Sequence, residues 1–489
     1  MAYIGIDMGT SGCKIAKVDD SGHIQRVERR AYDMITPSED RAELDPAQVW
    51  AAIEDGLRAI APYCGDVTAL AASSIGEAMV LTGDDDTPLT NAILYLDNRS
   101  VEEFEFVKES FGMDRIYDIT GTPSNSMFSL YRLLWIRKHL PEVYEKTKRI
   151  FLFEDYIGYM LSGERGISPS LASRTAFYDV DRANWSTEIL DAFDIDAALF
   201  SPVRDSGSVL GKLRTEMAEK LGLPEDLMVF VGCHDQCAAL LGGGAVMEGD
   251  VVSGQGSSES YNILTKNLES LRKAKLAYEP FVNSEHVFAV AGQLAHGTSI
   301  RWFAEKMEQD LFEACEKDGR DIYEELNRRC APSSQGVVYL PYLSEISFDG
   351  RNCAFGGFMG IRARTDKSVL YRALLEGISF EAKLVLSPFE KMGMMGKKLR
   401  MVGGASASEL LMQLKADVLG HKICVLEEKE NGILGLAMVC AVAQGRFATY
   451  SEAARAFVRE KKNYDPVRNY DKEYTKYLKL TELSTSFKL

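Results

Sequence analysis

The chain has no apolar run of membrane-spanning length: the longest, Ile433 to Ala443, is interrupted by Gly435 and fits a buried helix. No charged, apolar, cleavable leader opens it, so a cytoplasmic location is expected. Nine cysteines are scattered without a CxxC pair and read as reduced core residues. Cys233, His234 and Cys237 lie close together but have no second ligand pair elsewhere, which argues against structural zinc. Basic charge is short, with 56 Lys and Arg against 72 Asp and Glu and a formal net charge of −16. Duplex nucleic acid and anionic membranes are therefore poor partners. Two nucleotide signatures are also missing. No Gly-x-x-x-x-Gly-Lys-Ser/Thr loop occurs, and Gly254-x-Gly256 lacks the third glycine of a dinucleotide fingerprint.

At 489 residues, 46% of them hydrophobic, the chain is a globular protein of two or more domains. Its organising stretch is Met228 to Ala245. Met228, Val229, Phe230 and Val231 read as a buried strand, and the small residues after Asp235 read as a tightly packed helix start. Asp235 thus stands at a strand end, where open α/β sheets place their chemistry; a plain N-cap is the competing reading. Val251 to Ser258 echoes Ile4 to Ser11, so the chain reads as duplicated, with Asp235 near the seam.

In each echo a strand runs into a turn of small residues, Gly9-Thr10-Ser11 and Gly256-Ser257-Ser258. Backbone N–H groups and hydroxyls in such turns suit a phosphate, and phosphate binding here would be by paired hairpins. Ala69 to Ile75 reads as a strand leading to Glu77-Ala78, and Asp45-Pro46 starts a helix with Val49, Ile53, Leu57 and Ile60 on one face. Asp97 and Arg99 at another strand end pair an acceptor with a donor fork, which suits polyol hydroxyls or makes a simple ion pair. Phe151 to Ile157 carries Asp155 and Tyr156, and Gly158 to Thr175 reads as a polar, loop-rich rim. Further on, Val369 to Leu386 is a core helix, and Gly403-Gly404 lies between a strand and the helix Glu409 to Leu419. Bare backbone at two glycines lets a planar ligand approach, although helix packing alone could explain one of them.

These motifs, with Leu340-Pro-Tyr-Leu343, Gly356 to Ile361 and Leu375-Glu-Gly377, resemble the FGGY family of carbohydrate kinases, most closely its xylulokinase-like members, over nearly the whole chain. The resemblance implies an α/β fold of two ribonuclease-H-like domains of the actin, Hsp70 and sugar kinase type, with an interdomain cleft. Residues 1–245 would form the sugar-side domain and 246–489 the nucleotide-side domain. It implies an ATP-dependent, magnesium-using kinase acting on a primary hydroxyl of a small ketose or polyol. Asp235 matches the catalytic base, and Asp7, with Asp235, the magnesium-holding acids. Glu77, Ala78, Asp97, Arg99, Asp155, Tyr156 and Gln236 fall on sugar-side segments. Gly9, Thr10, Ser11, Lys14, Gly256, Ser257, Ser258, Gly403, Gly404 and Ser408 fall on nucleotide-side ones. The implied partners are the sugar and ATP, with no nucleic acid or membrane and with a homodimer allowed. Departures bear on the substrate: Glu77-Ala78 replaces Met-His, Glu345-Ile-Ser follows Ser344, and the second hairpin reads Gln-Gly-Ser-Ser. The alternatives are a sugar-responsive regulator of weak turnover and a non-sugar ATPase of the same superfamily.

Overall fold

The computed structural model describes residues 1–38, 40–343 and 355–486; Glu345 to Ser347, Asp349 and Arg351 lie outside the described residues. The chain forms two compact units, Met1–Met247 with Leu264–Ala289 and Glu430–Val458, and Glu248–Ile263 with Val290–Lys429 and Arg459–Leu489. They are interleaved along the sequence, so the first is finished only by residues near the chain's end. The seam read at residue 245 lies two residues before the first crossing.

The first unit is built on a six-stranded sheet in the order Val209–Lys212, Met228–His234, Val67–Ser74, Ala2–Met8, Gly12–Asp19, Ile24–Ala31. Ala2–Met8, Val67–Ser74 and Met228–His234 run parallel, so their carboxyl ends share one edge of the sheet. Ala2–Met8 and Val67–Ser74 bury nearly every residue, as continuous apolar runs must when both faces are covered. One face receives the helix Pro46–Ile60, started by Asp45, whose side chain accepts from Ala47 N–H at 2.9 Å. A cap of this kind stabilises by about 1 kcal/mol. Val49, Ile53 and Leu57 of that helix join Ile4, Ile6, Leu70 and Val229 in one core.

Two further helices of this unit, Asp235–Gly242 and Asn431–Ala443, meet at a near-contact of backbones. A Cβ on Gly242 would lie 1.8 Å from the Asn431 carbonyl oxygen, and one on Gly435 2.1 Å from that of Ala238. Only glycine fits at either position, which accounts for the small residues after Asp235. The segment expected as a loop-rich rim is partly ordered: Gly158 lies inside the helix Phe153–Ser162, and Pro169–Ala172 and Ser173–Thr175 are short helical turns.

The second sheet has seven strands, in the order Tyr278–Pro280, Val287–Gln293, Glu259–Thr265, Val251–Gln255, Lys398–Gly403, Lys422–Leu426, Glu460–Tyr464. Its hairpin and the two parallel strands beside it repeat the first unit's pattern, as the echoed sequences led one to expect. The helix Lys367–Lys391 passes so close to the strand Val338–Leu340 that a Cβ on Gly377 would sit 2.3 Å from the Tyr339 carbonyl oxygen. Among the described residues, no helix is long and apolar enough to cross a membrane.

Candidate functional site

Asp235 follows the last residue of the parallel strand Met228–His234 and is the first residue of the helix Asp235–Gly242; the N-cap is His234, so capping does not explain the carboxylate. The strand carries a register shift between Phe230 and Cys233. At that bulge Gly232 is pressed against the neighbouring strand, where a Cβ would lie 1.7 Å from the Ala72 oxygen. The Gly232 N–H donates instead to Glu154 Oε1 at 2.9 Å. Glu154 Oε2 accepts from Ser168 N–H and Oγ, each at 3.3 Å. Burial, with the Asp155 charge beside it, pushes the Glu154 carboxyl up to about 8.

Around Asp235 the charges alternate. His234 places Nε2 3.2 Å from Asp235 Oδ1 and Nδ1 2.8 Å from Glu279 Oε2. Glu279 sits on the short strand Tyr278–Pro280, and its Oε1 accepts from Arg174 Nη1 at 2.8 Å. Arg174 turns Nε, at 2.8 Å, and Nη2 onto Glu77 Oε1 and lies over the Phe128 ring, 5.1 Å from its centroid. Burial disfavours the imidazolium, but the carboxylates of Glu279 and Asp235 outweigh it and raise the His234 pKa. A cationic imidazole between two carboxylates can donate to both. Burial pushes Asp235 up to about 6; His234 opposes the shift, and the like charges of Asp7 and Glu77 add to it. Side-chain exposure is 4% for Glu77, 15% for Arg174, 6% for Glu279 and 7% for His234, against 28% for Asp235. The chain of charges therefore opens to solvent chiefly at Asp235.

Glu77 sits in a strained backbone: its φ is +65°, and Ala78 N–H closes back on the Gly76 oxygen at 2.7 Å. A bulky residue in such a conformation costs about 1–3 kcal/mol and persists only where the surroundings enforce it. Here the enforcement is visible, because a Cβ on Gly76 would meet Arg174 Cγ at 2.9 Å and Ser129 Oγ donates to the Glu77 oxygen at 2.8 Å. Ala78 is fully buried. Gln236 follows Asp235 in the first helical turn.

Asp7 lies on the strand Ala2–Met8, opposite Ser73, whose Oγ donates to Asp7 Oδ1 at 2.8 Å. Burial raises its pKa, with Ser73 and Lys14 opposing. A Cβ on Gly432 would approach Asp7 Oδ2 to 3.1 Å. Asp7 and Asp235 are thus two half-buried acids, and the charge of Asp7 adds to the rise at Asp235. Magnesium binding through one or two carboxylates plus substrate phosphates asks for such a pair, and these residues fit it. The hairpin Gly9-Thr10-Ser11 is closed by Gly9 N–H on the Gly12 oxygen at 2.9 Å, and Tyr32 Oη donates to the Gly9 oxygen at 2.6 Å. Lys14 Nζ pairs with Glu430 at 2.6 Å.

Four sequence candidates are committed elsewhere. Asp97 is 1% exposed, and its oxygens accept from Ala42 N–H, Arg99 N–H and the Arg99 guanidinium at 2.6–2.9 Å. Arg99 also reaches Glu43 and lies over Trp135, so the pair is an internal brace and not a free hydroxyl binder. Asp155 accepts from Leu152 N–H at 2.7 Å at the start of its helix, and burial pushes it up to about 7. Tyr156 packs edge-on against Trp50 in the hydrophobic core. Sequence reasoning missed Arg174 and Glu279, about 100 residues apart with no local pattern to flag either. It also missed Arg132, which is wholly buried with Nη2 on the Leu94 oxygen at 2.8 Å and with Nε and Nη1 unpaired. The Cys233, His234, Cys237 group holds no metal-binding arrangement, and no cluster of three such ligands occurs among the described residues.

In the second unit, Gly256, Ser257 and Ser258 form the exposed tip of the hairpin, braced by Gly297 and Thr298 N–H on the Gly256 and Ser257 oxygens at 3.2 and 3.1 Å. Gly403 and Gly404 answer different needs. Gly403 has φ +95° and would place a Cβ 2.4 Å from the Gln255 oxygen, whereas Gly404 is exposed with open space at its Cα. Ser408 caps the helix Glu409–Leu419, accepting from Leu411 N–H at 3.2 Å.

Residues 2–242 match the model of the FGGY family of carbohydrate kinases, N-terminal domain, and residues 255–444 that of the C-terminal domain. The chain is 28% identical to a xylulose kinase of Lactococcus lactis over 94% of its own length and 92% of that protein. It is 24% identical to a gluconokinase of Bacillus subtilis over 96% and 93%. A solved xylulose kinase from Rhodospirillum rubrum superposes with a TM-score of 0.90 at 23% identity, covering 99% of both chains, which supports a shared two-domain, actin/Hsp70-like fold.

Proposed function

Because the chain belongs to the FGGY family of carbohydrate kinases and is an ATP-dependent sugar kinase, we propose that its acceptor is a primary hydroxyl of a small ketose or polyol. In this reading residues 1–245 carry the sugar-side groups and 246–489 the nucleotide-side ones, with the hairpins at Gly9–Ser11 and Gly256–Ser258 on the phosphates and the open Gly404 on the base. Asp235 accepts the hydroxyl proton as that oxygen attacks the γ-phosphorus and the bond to the β,γ-bridging oxygen breaks, so that ADP carries the electron pair away. Asp7 and Asp235 would hold magnesium, which when bound neutralises phosphate charge. Glu77 is the group assigned to the sugar, whereas Asp97, Arg99, Asp155 and Tyr156 act on the fold and not on the substrate.

The observation that carries the reading is Asp235 itself, a rigidly placed carboxylate of raised pKa at the open end of a buried charge chain. The test is coupled ADP release with D-xylulose, D-gluconate and glycerol, on the wild type and Asp235→Ala. One of the three should be turned over, and the variant should lose roughly 10²- to 10⁴-fold in kcat while still binding nucleotide. Because Glu77-Ala78 stands where Met-His is usual, D-xylulose is not expected to lead the panel. Near-wild-type turnover by Asp235→Ala would remove the base assignment. Nucleotide binding without turnover of any panel member would favour a regulator.

A further inference from the structure

We propose that Arg174 and Glu279 are positioning residues that set Asp235 and Glu77 in register, so that the sugar contact and the base are held by one continuous buried chain of charge. This rests on the reading of Asp235 as the base and Glu77 as the sugar-facing group.

Each inner link of the chain is held from both sides. Glu279 accepts at both ends, through Oε1 from Arg174 and through Oε2 from His234. Arg174 turns one edge of its fork, Nε and Nη2, to Glu77 and the remaining Nη1 to Glu279. His234 is itself anchored by its backbone, whose N–H donates to Ser170 Oγ at 3.0 Å. The ring therefore reaches Asp235 Oδ1 from a fixed place. It engages Asp235 Oδ1 at 3.2 Å. Every member but Asp235 is largely closed to solvent, which leaves water little access to replace the pairing. At the far end the stem of Arg174 lies against Gly76, where a Cβ would meet its Cγ at 2.9 Å, beside the positive φ of Glu77.

A buried arginine that only filled space would not need two carboxylates, and a buried glutamate that only neutralised it would not need a histidine. The alternating order Glu77, Arg174, Glu279, His234, Asp235 makes each position depend on the next. A sub-ångström error at Arg174 therefore arrives at both functional ends. An error of about 1 Å in a reacting group costs on the order of 10²-fold in rate.

Two substitutions break different links without emptying the site. Glu279→Gln keeps the volume but accepts at only one end, so it uncouples either Arg174 or His234 and leaves Arg174 on Glu77. Arg174→Lys keeps a cation but not the fork that spans both carboxylates. Steady-state kinetics on the preferred member of the D-xylulose, D-gluconate and glycerol panel, with thermal melting beside them, separate the outcomes. Glu279→Gln should lower kcat by roughly 10- to 100-fold, leaving the KM for sugar and for ATP within about twofold. Arg174→Lys should lower kcat and also raise the sugar KM, again without moving the ATP KM. Glu279→Gln added to Asp235→Asn should lower kcat no further than Asp235→Asn alone. If Glu279→Gln folds and keeps a wild-type kcat, or if its only effect is a lower melting point, the positioning role is overturned. Wild-type turnover by Asp235→Asn would instead sink the base assignment, a separate failure read from its own variant.

Discussion

Glu154 shows how a single buried carboxyl serves the neighbouring strand end from which the proposed base projects. Its Oε1 holds the N–H exposed by the bulge at Gly232, three residues before Asp235. Its raised pKa of about 8 means that the folded protein keeps a proton which the unfolded chain releases near pH 4.5. Between those values the native state binds more protons than the unfolded one. Stability from this group is therefore full below about pH 4.5 and declines as pH rises to about 8. Glu154→Gln cannot titrate, so the melting temperature of the variant should fall less between pH 5 and pH 8 than that of the wild type. Parallel slopes would show that Glu154 ionises freely in the fold. At this scale the sequence was legible only where a motif named the residue. Asp235 and Asp7 stood out at strand ends, but Asp97-Arg99 looked the same whether it faced a sugar or, as here, braced Glu43 and Ala42. Glu154 sat beside a motif acid, and nothing local marked which of the two the bulge would use.

The helices Asp235–Gly242 and Asn431–Ala443 are the element pair on which the site stands. Their backbones touch at Gly242 and Gly435, and the start of the second helix places Gly432 against Asp7. Gly435→Ala would drive a methyl into the Ala238 carbonyl, in the first turn of the helix that begins with Asp235. We expect a loss of about 1–3 kcal/mol in denaturant unfolding, with a fall in kcat. Gly65→Ala is the control, since nothing lies within 4 Å of its Cβ position. A Gly435→Ala protein with wild-type stability would mean that the helices part at no cost. Helices with strong periodicity or small-residue packing were readable in advance: Glu409–Leu419 has the expected bounds, and Pro46–Ile60 its cap and apolar face. Pro169–Ala172 and Ser173–Thr175 were not, because three or four residues are too few to show a period.

For the whole molecule, duplication was visible in the repeated hairpin sequences, and six strands of the larger sheet follow the order of the smaller one, with Tyr278–Pro280 added at the edge. The interleaving was not visible, because no local pattern says that Glu430–Val458 folds back onto residues 1–247. It has a direct test. Residues 1–247 alone lack the helix Asn431–Ala443, which packs on Asp235–Gly242 and on the strand Ala2–Met8. That fragment should be insoluble or molten, and co-expression with residues 430–458 should recover ordered, protease-resistant protein. A well-folded 1–247 fragment would show that the missing segments contribute little.

The same interleaving governs how the protein comes into being on a ribosome. The sheet with its three parallel strands is complete once residue 234 has been made, but the helix that covers it is not translated until residues 431–443. At about 5–20 residues per second, the nascent chain carries that half-dressed sheet for roughly 10–40 s. During this interval the surface reserved for Gly435 and its neighbours is open to any apolar segment. Codon choice and chaperone supply across residues 248–430 should therefore weigh more on the yield of active enzyme than they do in a protein whose domains close in the order they are made.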